Sequence, residues 1–196
     1  MTKTVEFFYD FGSPTVYLAA TQLPNLANRV GATINWRPIL LGGVFKLTGN
    51  QSPAVIAEKA AYMNNDLQRF AKRYGVPFNW NPHFPINTLA LMRGAVAYQD
   101  DAVASSTYRD AIFTSIWVEE RNLNEPNVIG QVLTDAGLDP AELMERIGQQ
   151  TVKDQLIGNT EQAVNRGVFG APTFFVGEQM FFGQDRLDFV TEALSE

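Results

Sequence analysis

The spacing of apolar residues changes twice along this chain of 196 residues and divides it into three blocks. The first block holds two apolar or alternating runs of strand length, with one helical run between them. The middle block repeats apolar residues every three or four positions, which is typical of amphipathic helices. The last block returns to two short apolar runs followed by a helical one. The predicted order of elements is therefore β-α-β, a series of helices, and β-β-α.

Four short runs rich in aromatic and β-branched residues predict strands, because turn-forming residues bound them. These strands cover residues 4–11, 33–41, 173–176 and 179–182. After the second strand, residues 42–53 are rich in glycine and are predicted to form a flexible connection.

The first helix is predicted to begin at Ser13, a good N-cap, with Pro14 in its first turn. It should stop before Gly31, and Pro24 is expected to kink or interrupt it. A further helix is predicted to begin after Asp139, where a cap, a proline and an acid follow one another. The other predicted helices cover residues 56–74, 87–99, 103–122, 126–136, 151–166 and 185–194.

This order of elements is that of a thioredoxin-like α/β fold with an all-helical domain inserted between its βαβ and ββα halves. Residues 1–50 and 167–196 are predicted to form the thioredoxin-like domain, and residues 51–166 the inserted helical domain.

Composition excludes several classes of function. A net charge of −6 argues against nucleic acid and anionic membranes as general partners. The aromatic residues fit a core rather than a stacking surface, since no basic stripe accompanies them. No apolar run approaches the roughly 20 residues that a membrane span needs. With no cysteine and the single histidine His83, no metal site is predicted. The N-terminus shows no cleavable signal pattern, so we expect a cytoplasmic protein.

The start of the first helix and a distant proline together suggest thiol chemistry. A strand that runs into Ser13-Pro14, paired with a strand that opens at Pro172, is the layout of a thiol–disulfide oxidoreductase. Without cysteine that activity is excluded, and a serine at this place suggests a thiol supplied by another molecule. The Ser13 hydroxyl could donate to a thiolate, and the helix N-terminus would favour the negative charge. The simpler alternative is that Ser13 only caps the helix.

Four segments in this order make the chain resemble a known family. They are 8–14 (FYDFGSP), 62–67 (YMNNDL), 169–174 (FGAPTF) and 182–187 (FGQDRL). The chain resembles the 2-hydroxychromene-2-carboxylate isomerases, close relatives of the kappa-class glutathione transferases in the DsbA-like thioredoxin superfamily. The resemblance covers residues 5–194. It implies a glutathione-dependent active site between the two domains, and a homodimer.

The resemblance assigns glutathione contacts to seven residues: Ser13, Asn50, Lys59, Ala171, Pro172, Gln184 and Asp185. Ser13 would stabilise the thiolate, and a cis Pro172 would leave the backbone of Ala171 to pair with the cysteinyl part. Gln184 and Asp185 would hold the γ-glutamyl end. Alternatives from local sequence remain open. Pro172 could begin an edge strand in the commoner trans form, Asp185 could cap the last helix, and Asn50 and Lys59 could be solvated.

The second substrate, a small aromatic molecule, is expected to meet Lys46, Tyr62, Phe84 and Asn87. The chain departs here from the naphthalene-pathway isomerases, which carry an Asn-Arg pair after the Gly-Asn loop. The corresponding stretch 53–56 has no arginine, and 82–87 lacks the tyrosine of those enzymes. His83 fits a loop histidine better than a proton carrier.

The resemblance implies an isomerase of an aromatic catabolic pathway, which interconverts 2-hydroxychromene-2-carboxylate and trans-o-hydroxybenzylidenepyruvate. Two alternatives stay open. One is a kappa-like glutathione transferase, in which the sulfur stays on the product. The other is a non-catalytic thioredoxin-like binding protein.

Overall fold

The computed structural model of the protein describes residues 3–196, so the first two residues of the predicted thioredoxin-like domain lie outside it. Strands β1 (Thr4–Tyr9), β2 (Thr33–Pro38), β3 (Thr173–Val176) and β4 (Gln179–Phe182) form one sheet in the order β2-β1-β3-β4. β1 runs parallel to β2 and antiparallel to β3, which also pairs antiparallel with β4. The predicted thioredoxin-like α/β architecture is confirmed.

Strand β1 lies at the centre of the sheet and is apolar on both faces. Phe7 is buried on one face, where its ring stacks on Phe174 at 5.0 Å and meets the edge of Trp36 at 5.2 Å. Phe8 is buried on the other face against Phe175. A strand covered on both faces carries a nearly continuous apolar run, which explains why β1 could be predicted from sequence.

Helix α1 (Pro14–Val30) connects β1 to β2. It ends at Gly31, which adopts a left-handed φ of 67°. The predicted interruption at Pro24 is wrong, because the helix continues through this residue. A proline inside a helix costs about 3 kcal/mol, and the buried face with Leu23 and Leu26 offsets that cost.

Helix α2 (Leu41–Thr48) is a correction to the sequence-based prediction, which placed a flexible connection here. Its first turn is held by side chains from far along the chain. The Asp10 carboxylate accepts from the N–H of Leu41 at 2.8 Å, and the Thr160 hydroxyl accepts from the N–H of Leu40 at 3.0 Å. A Cβ at Gly43 would lie 3.2 Å from the Thr160 methyl group, so α2 packs closely on the helix that carries Thr160.

The central region is helical, as predicted, with ends that differ from the prediction by up to five residues. Its helices are α3 (Ala57–Tyr74), α4 (Leu89–Ala97), α5 (Ala102–Trp117), α6 (Pro126–Asp135), α7 (Pro140–Gly148) and α8 (Gln150–Asn165), and α9 (Leu187–Ser195) closes the chain. Short 3₁₀ turns lie at Pro53–Val55 and Gln184–Arg186. None of the helices in the described part of the chain is long and apolar enough to cross a bilayer. The domain boundaries at 50/51 and 166/167 stay a prediction.

The aromatic core of the sheet yields a stability prediction. Phe174→Ala should lower the free energy of unfolding by about 3–5 kcal/mol, because Phe174 is fully buried and stacked on Phe7. Urea denaturation would measure the change. Phe189→Ala is the control, since Phe189 on α9 is 53% exposed and its loss should cost less than about 0.5 kcal/mol. Equal costs for the two variants would contradict this account of the core.

Candidate active site

A cavity of about 520 Å³ opens where the start of α1 meets the turn that leads into β3. Its lining comes from the first turn of α1, one face of α2, the loops 50–54 and 80–88, and the segments 170–172 and 182–186. The cavity thus collects segments from both ends and the middle of the chain. Seven of the residues predicted for the site lie on it: Ser13, Asn50, Phe84, Ala171, Pro172, Gln184 and Asp185.

Ser13 lies at the bottom of this cavity and is largely buried. Its Oγ is 2.9 Å from Thr15 Oγ1 and donates to the carbonyl oxygen of Ala171 at 3.3 Å. It also accepts from the N–H of Val16 at 3.4 Å and so caps α1. Capping uses an oxygen lone pair and leaves the hydroxyl proton available, so Ser13 can cap the helix and donate to a ligand at once.

The peptide bond between Ala171 and Pro172 is cis, and the predicted isomer is confirmed. The Ala171 carbonyl accepts from Ser13 and, at 3.4 Å, from Thr15. Among residues 3–196 the N–H of Ala171 donates no hydrogen bond. The Pro172 carbonyl accepts from the N–H of Gly183 at 3.0 Å, which fixes the segment 183–185 beside the cavity. The N–H of Ala171 could therefore donate a hydrogen bond to the backbone of an extended peptide.

Gln184 and Asp185 form the short 3₁₀ turn before α9. Gln184 is buried, and its backbone carbonyl accepts from the Tyr74 hydroxyl at 3.1 Å. The Asp185 carboxylate pairs with Arg186 at 2.6 Å and is partly exposed. The alternative, that Asp185 caps the last helix, is wrong, because its carboxylate caps neither this turn nor α9.

Asn50 lies at the rim of the cavity and ties two segments together. Its amide Nδ2 donates to the carbonyl of Phe169 at 2.8 Å, and its Oδ1 accepts from the N–H of Gln51. Lys59 is exposed on α3 and does not line the cavity.

Of the four residues predicted for the second substrate, only Phe84 lines the cavity. Lys46 lies on the opposite face of α2, and Tyr62 points outward from α3 with 63% of its surface exposed. The Asn87 side chain accepts from the N–H of Leu89 at the start of α4. His83 is exposed in a loop.

Asp10 lies on the cavity and was not predicted from the sequence. It is 1% exposed, and its two carboxylate oxygens accept from the N–H groups of Gly12 at 2.9 Å and Leu41 at 2.8 Å. Burial raises the pKa of Asp10, while the hydrogen bonds from these amides and from Thr88 oppose that rise. One feature of the sequence could have pointed to Asp10, namely that it is an acid inside the apolar run that leads into the turn Gly12-Ser13-Pro14.

The cavity combines one anion-attracting end with apolar sides. The start of α1 supplies the Ser13 hydroxyl and the positive end of the helix dipole. The apolar sides include the aromatic rings of Phe45, Trp80, Phe84 and Phe182. In the described residues no three Asp, Glu or His side chains converge as metal ligands would. The arrangement can hold a negatively charged atom at Ser13 beside a planar apolar molecule.

Comparison with known proteins identifies the class. The DSBA-like thioredoxin domain family matches residues 4–195. The structure of a 2-hydroxychromene-2-carboxylate isomerase superposes with a TM-score of 0.88 at 30% identity, over 97% of this chain and 94% of that one. A probable DsbA oxidoreductase from Streptomyces coelicolor shares the fold at 18% identity and a TM-score of 0.77.

The sequence is also similar to named proteins over its whole length. It is 36% identical to the 2-hydroxychromene-2-carboxylate isomerase of Sphingobium xenophagum over 99% of both chains. It is 29% identical to human glutathione S-transferase kappa 1, over 100% of this chain and 92% of that protein. The chain belongs to the DSBA-like thioredoxin family, in the group of the 2-hydroxychromene-2-carboxylate isomerases and their kappa-class relatives.

The position of Asp10 generates a prediction about stability. Asp10→Asn should cost about 1–3 kcal/mol, because an amide can accept through one atom only and leaves the half-buried N–H of Gly12 or Leu41 without its acceptor. Thermal or urea unfolding would measure the loss.

Asp139→Asn is the matched control for Asp10→Asn. Asp139 also accepts from two N–H groups at a helix start, but through one oxygen and in an exposed position. Asparagine is as good an N-cap as aspartate, so we expect the free energy of unfolding to change by less than about 0.5 kcal/mol. If the two substitutions cost the same, Asp10 does not join the two helix starts in the way described.

Proposed function

We propose that the protein is a glutathione-dependent isomerase that interconverts 2-hydroxychromene-2-carboxylate and trans-o-hydroxybenzylidenepyruvate, or a closely similar aromatic catabolite. The observation that carries this proposal is the contact between Ser13 and Ala171, 158 positions apart, at the bottom of a cavity in a chain without cysteine. A thiol bound there must come from a second molecule. The names of the relatives indicate which thiol and which reaction.

Glutathione would bind as an extended peptide along the segment that contains Ala171. The N–H of Ala171 would pair with the cysteinyl backbone, as in β-strand addition. The γ-glutamyl end would meet Gln184 and Asp185, where its ammonium would join the existing pair of Asp185 and Arg186. Asn50 lies on the cavity rim for a backbone contact, whereas Lys59 would contribute only through a long-range charge.

Ser13 would stabilise the thiolate rather than act as the nucleophile. When its hydroxyl turns from Ala171 towards sulfur, Thr15 can keep the Ala171 carbonyl hydrogen-bonded, because Thr15 Oγ1 is already 3.4 Å away. Val16 can keep donating to Ser13 Oγ. The hydrogen bond from the Ser13 hydroxyl to sulfur, with the dipole of α1, lowers the free energy of a thiolate relative to a thiol.

The reaction would then proceed by reversible addition. 2-Hydroxychromene-2-carboxylate would first open: the bond between C2 and the ring oxygen breaks, the 2-hydroxyl becomes a ketone, and its proton passes to the phenol oxygen. The thiolate sulfur then forms a bond to the benzylic carbon of the resulting cis enone, and the electron pair of the double bond moves to the carbonyl oxygen as an enolate. Rotation follows about the bond that has become single. Collapse of the enolate re-forms the double bond and expels the thiolate, so glutathione is returned unchanged. The apolar surface with Trp80 and Phe84 would hold the aromatic ring during these steps.

One observation favours a kappa-like transferase as a second candidate. Among the residues that line the cavity, Arg186 is the one Lys or Arg, and it is paired with Asp185. A substrate carboxylate therefore finds no unpaired cation there, whereas a neutral electrophile needs none. The two candidates differ in the fate of sulfur. A thioether that accumulates in proportion to the glutathione consumed would exclude the isomerase and establish the transferase.

Substitution of Ser13 is the direct test of thiolate stabilisation. Ser13→Ala should lower kcat about 10- to 100-fold, since a hydrogen bond to a charged group contributes about 1.5–3 kcal/mol. It should also reduce the ultraviolet thiolate absorbance of bound glutathione, while loss of the cap costs only about 1 kcal/mol of stability.

Ser52→Ala is the control for Ser13→Ala. Ser52 also lines the cavity and caps a short helical turn through the N–H of Ala54, but its hydroxyl makes no hydrogen bond to the Ala171 carbonyl, whose donors are Ser13 and Thr15. It should retain most of the turnover and the thiolate signal. Full turnover in Ser13→Ala would remove Ser13 from the mechanism, and the absence of glutathione binding in the wild type would favour a binding protein.

Cellular location and assembly stay predictions from the sequence, namely a cytoplasmic homodimer. Sedimentation velocity of the purified protein tests the assembly, and fractionation of the source cells tests the location.

A further inference from the structure

A second groove lies on the side of α2 that faces away from the candidate active site. It has a volume of about 190 Å³ and is formed by one face each of α2, α4 and α8. Its apolar surface comes from leucines and one isoleucine, and Leu47 and Ile157 are both 54% exposed. These exposed aliphatic side chains in a concave surface offer an apolar contact to a small ligand.

Three cations border this groove and none of them has a charged partner among the described residues. They are Lys46 on α2, Arg93 on α4 and Lys153 on α8. Elsewhere in the chain several arginines are paired, for example Arg37 and Arg166 with Glu6. Three cations beside one acid, Glu161, give this groove a local positive charge in a protein of net charge −6. The groove therefore attracts a negatively charged molecule.

Arg93 adds an independent observation. Its Nε is buried and has no hydrogen-bond partner among residues 3–196. A buried N–H without an acceptor costs about 1–3 kcal/mol. A carboxylate could satisfy it once the Arg93 side chain turns towards the groove, where the guanidinium would donate through two parallel N–H groups to two oxygens.

We propose that this groove is a binding site for a small amphipathic carboxylate, in which an aromatic or short aliphatic body lies on Leu47 and Ile157. The carboxylate would meet Arg93, with Lys46 and Lys153 on either side. Charge complementarity selects an anion, and the apolar surface with its small volume selects a compact apolar body over a phosphate or a nucleotide. The site is separate from glutathione chemistry and stands whether or not the proposed isomerase activity is correct.

The test uses 2-naphthoate as the probe and the protein labelled at its isoleucine methyl groups. Ile157 lines the groove and Ile86 lines the candidate active-site cavity, so the two methyl signals report the two sites separately. Saturable shifts of the Ile157 signal are expected. The neutral amide 2-naphthamide should bind at least about tenfold more weakly, because it lacks the negative charge of the carboxylate. Shifts confined to Ile86, or no saturable shift at all, would overturn the proposal.

Charge-removing variants identify the groups that bind the carboxylate. Arg93→Gln should raise the dissociation constant for 2-naphthoate about tenfold or more. Because Arg93 is half-buried, the double variant Lys46→Gln with Lys153→Gln provides a second measurement that does not depend on Arg93, with the same direction expected. Lys46 is exposed and Lys153 is half-buried. Lys72→Gln is the control, since Lys72 is exposed on α3 and lines no groove described above. Equal affinity in all variants would overturn the proposal.

A second copy of the chain is the competing occupant. Ile157→Glu would then convert a dimer into a monomer in sedimentation velocity, and the Ile157 methyl signal would not respond to 2-naphthoate in the wild type. That combination would assign the groove to a subunit interface and overturn the ligand site.

Discussion

The desolvated carboxylate of Asp10 is the constraint on which the candidate site depends. It accepts one N–H from the start of α1 and one from the start of α2, so the two helices can begin only where both amides reach it. The next residue is fixed as well, since the Trp117 indole donates to the Phe11 carbonyl at 2.8 Å. The position of Ser13 relative to α2 and the 50–54 loop therefore follows from a charge that has almost no water around it.

The absence of cysteine changes what the helix start has to do. In a protein that carries its own thiol, the N-terminus of α1 would activate a group already attached to it. Here the same end holds Ser13, whose oxygen caps the helix while its proton remains available for an acceptor. The Ala171 carbonyl is that acceptor in the structure, and Thr15 is close enough to replace Ser13 on it. The Ser13 hydroxyl thus already has an acceptor within the protein, and a thiolate would replace the Ala171 carbonyl as that acceptor.

The sequence predicted those parts of the molecule that are stabilised by residues close to one another in the chain. Strand β1 shows a continuous apolar run, the start of α1 shows Ser13 and Pro14, and the turn before β3 shows a proline. Helix α2 could not be predicted, because two glycines lower its helix propensity and its stabilising partners, Asp10 and Thr160, lie far away in sequence. Lys46 shows the same limit for the site. The sequence analysis placed it at the pocket for the second substrate, but which face of α2 it occupies depends on tertiary packing.

Helix α2 separates two cavities with only eight residues. Leu41, Gly42 and Phe45 line the one that contains Ser13, and Gly43, Lys46 and Leu47 line the other. Each residue added to a helix turns the following positions by about 100°. Loss of a single codon in this helix before Lys46 would thus place the lysine at the position that Phe45 now holds, and carry its charge towards the cavity that has no unpaired cation. For a lineage of related enzymes, this segment offers a short evolutionary route between neutral and anionic substrates that leaves Ser13 and Ala171 untouched.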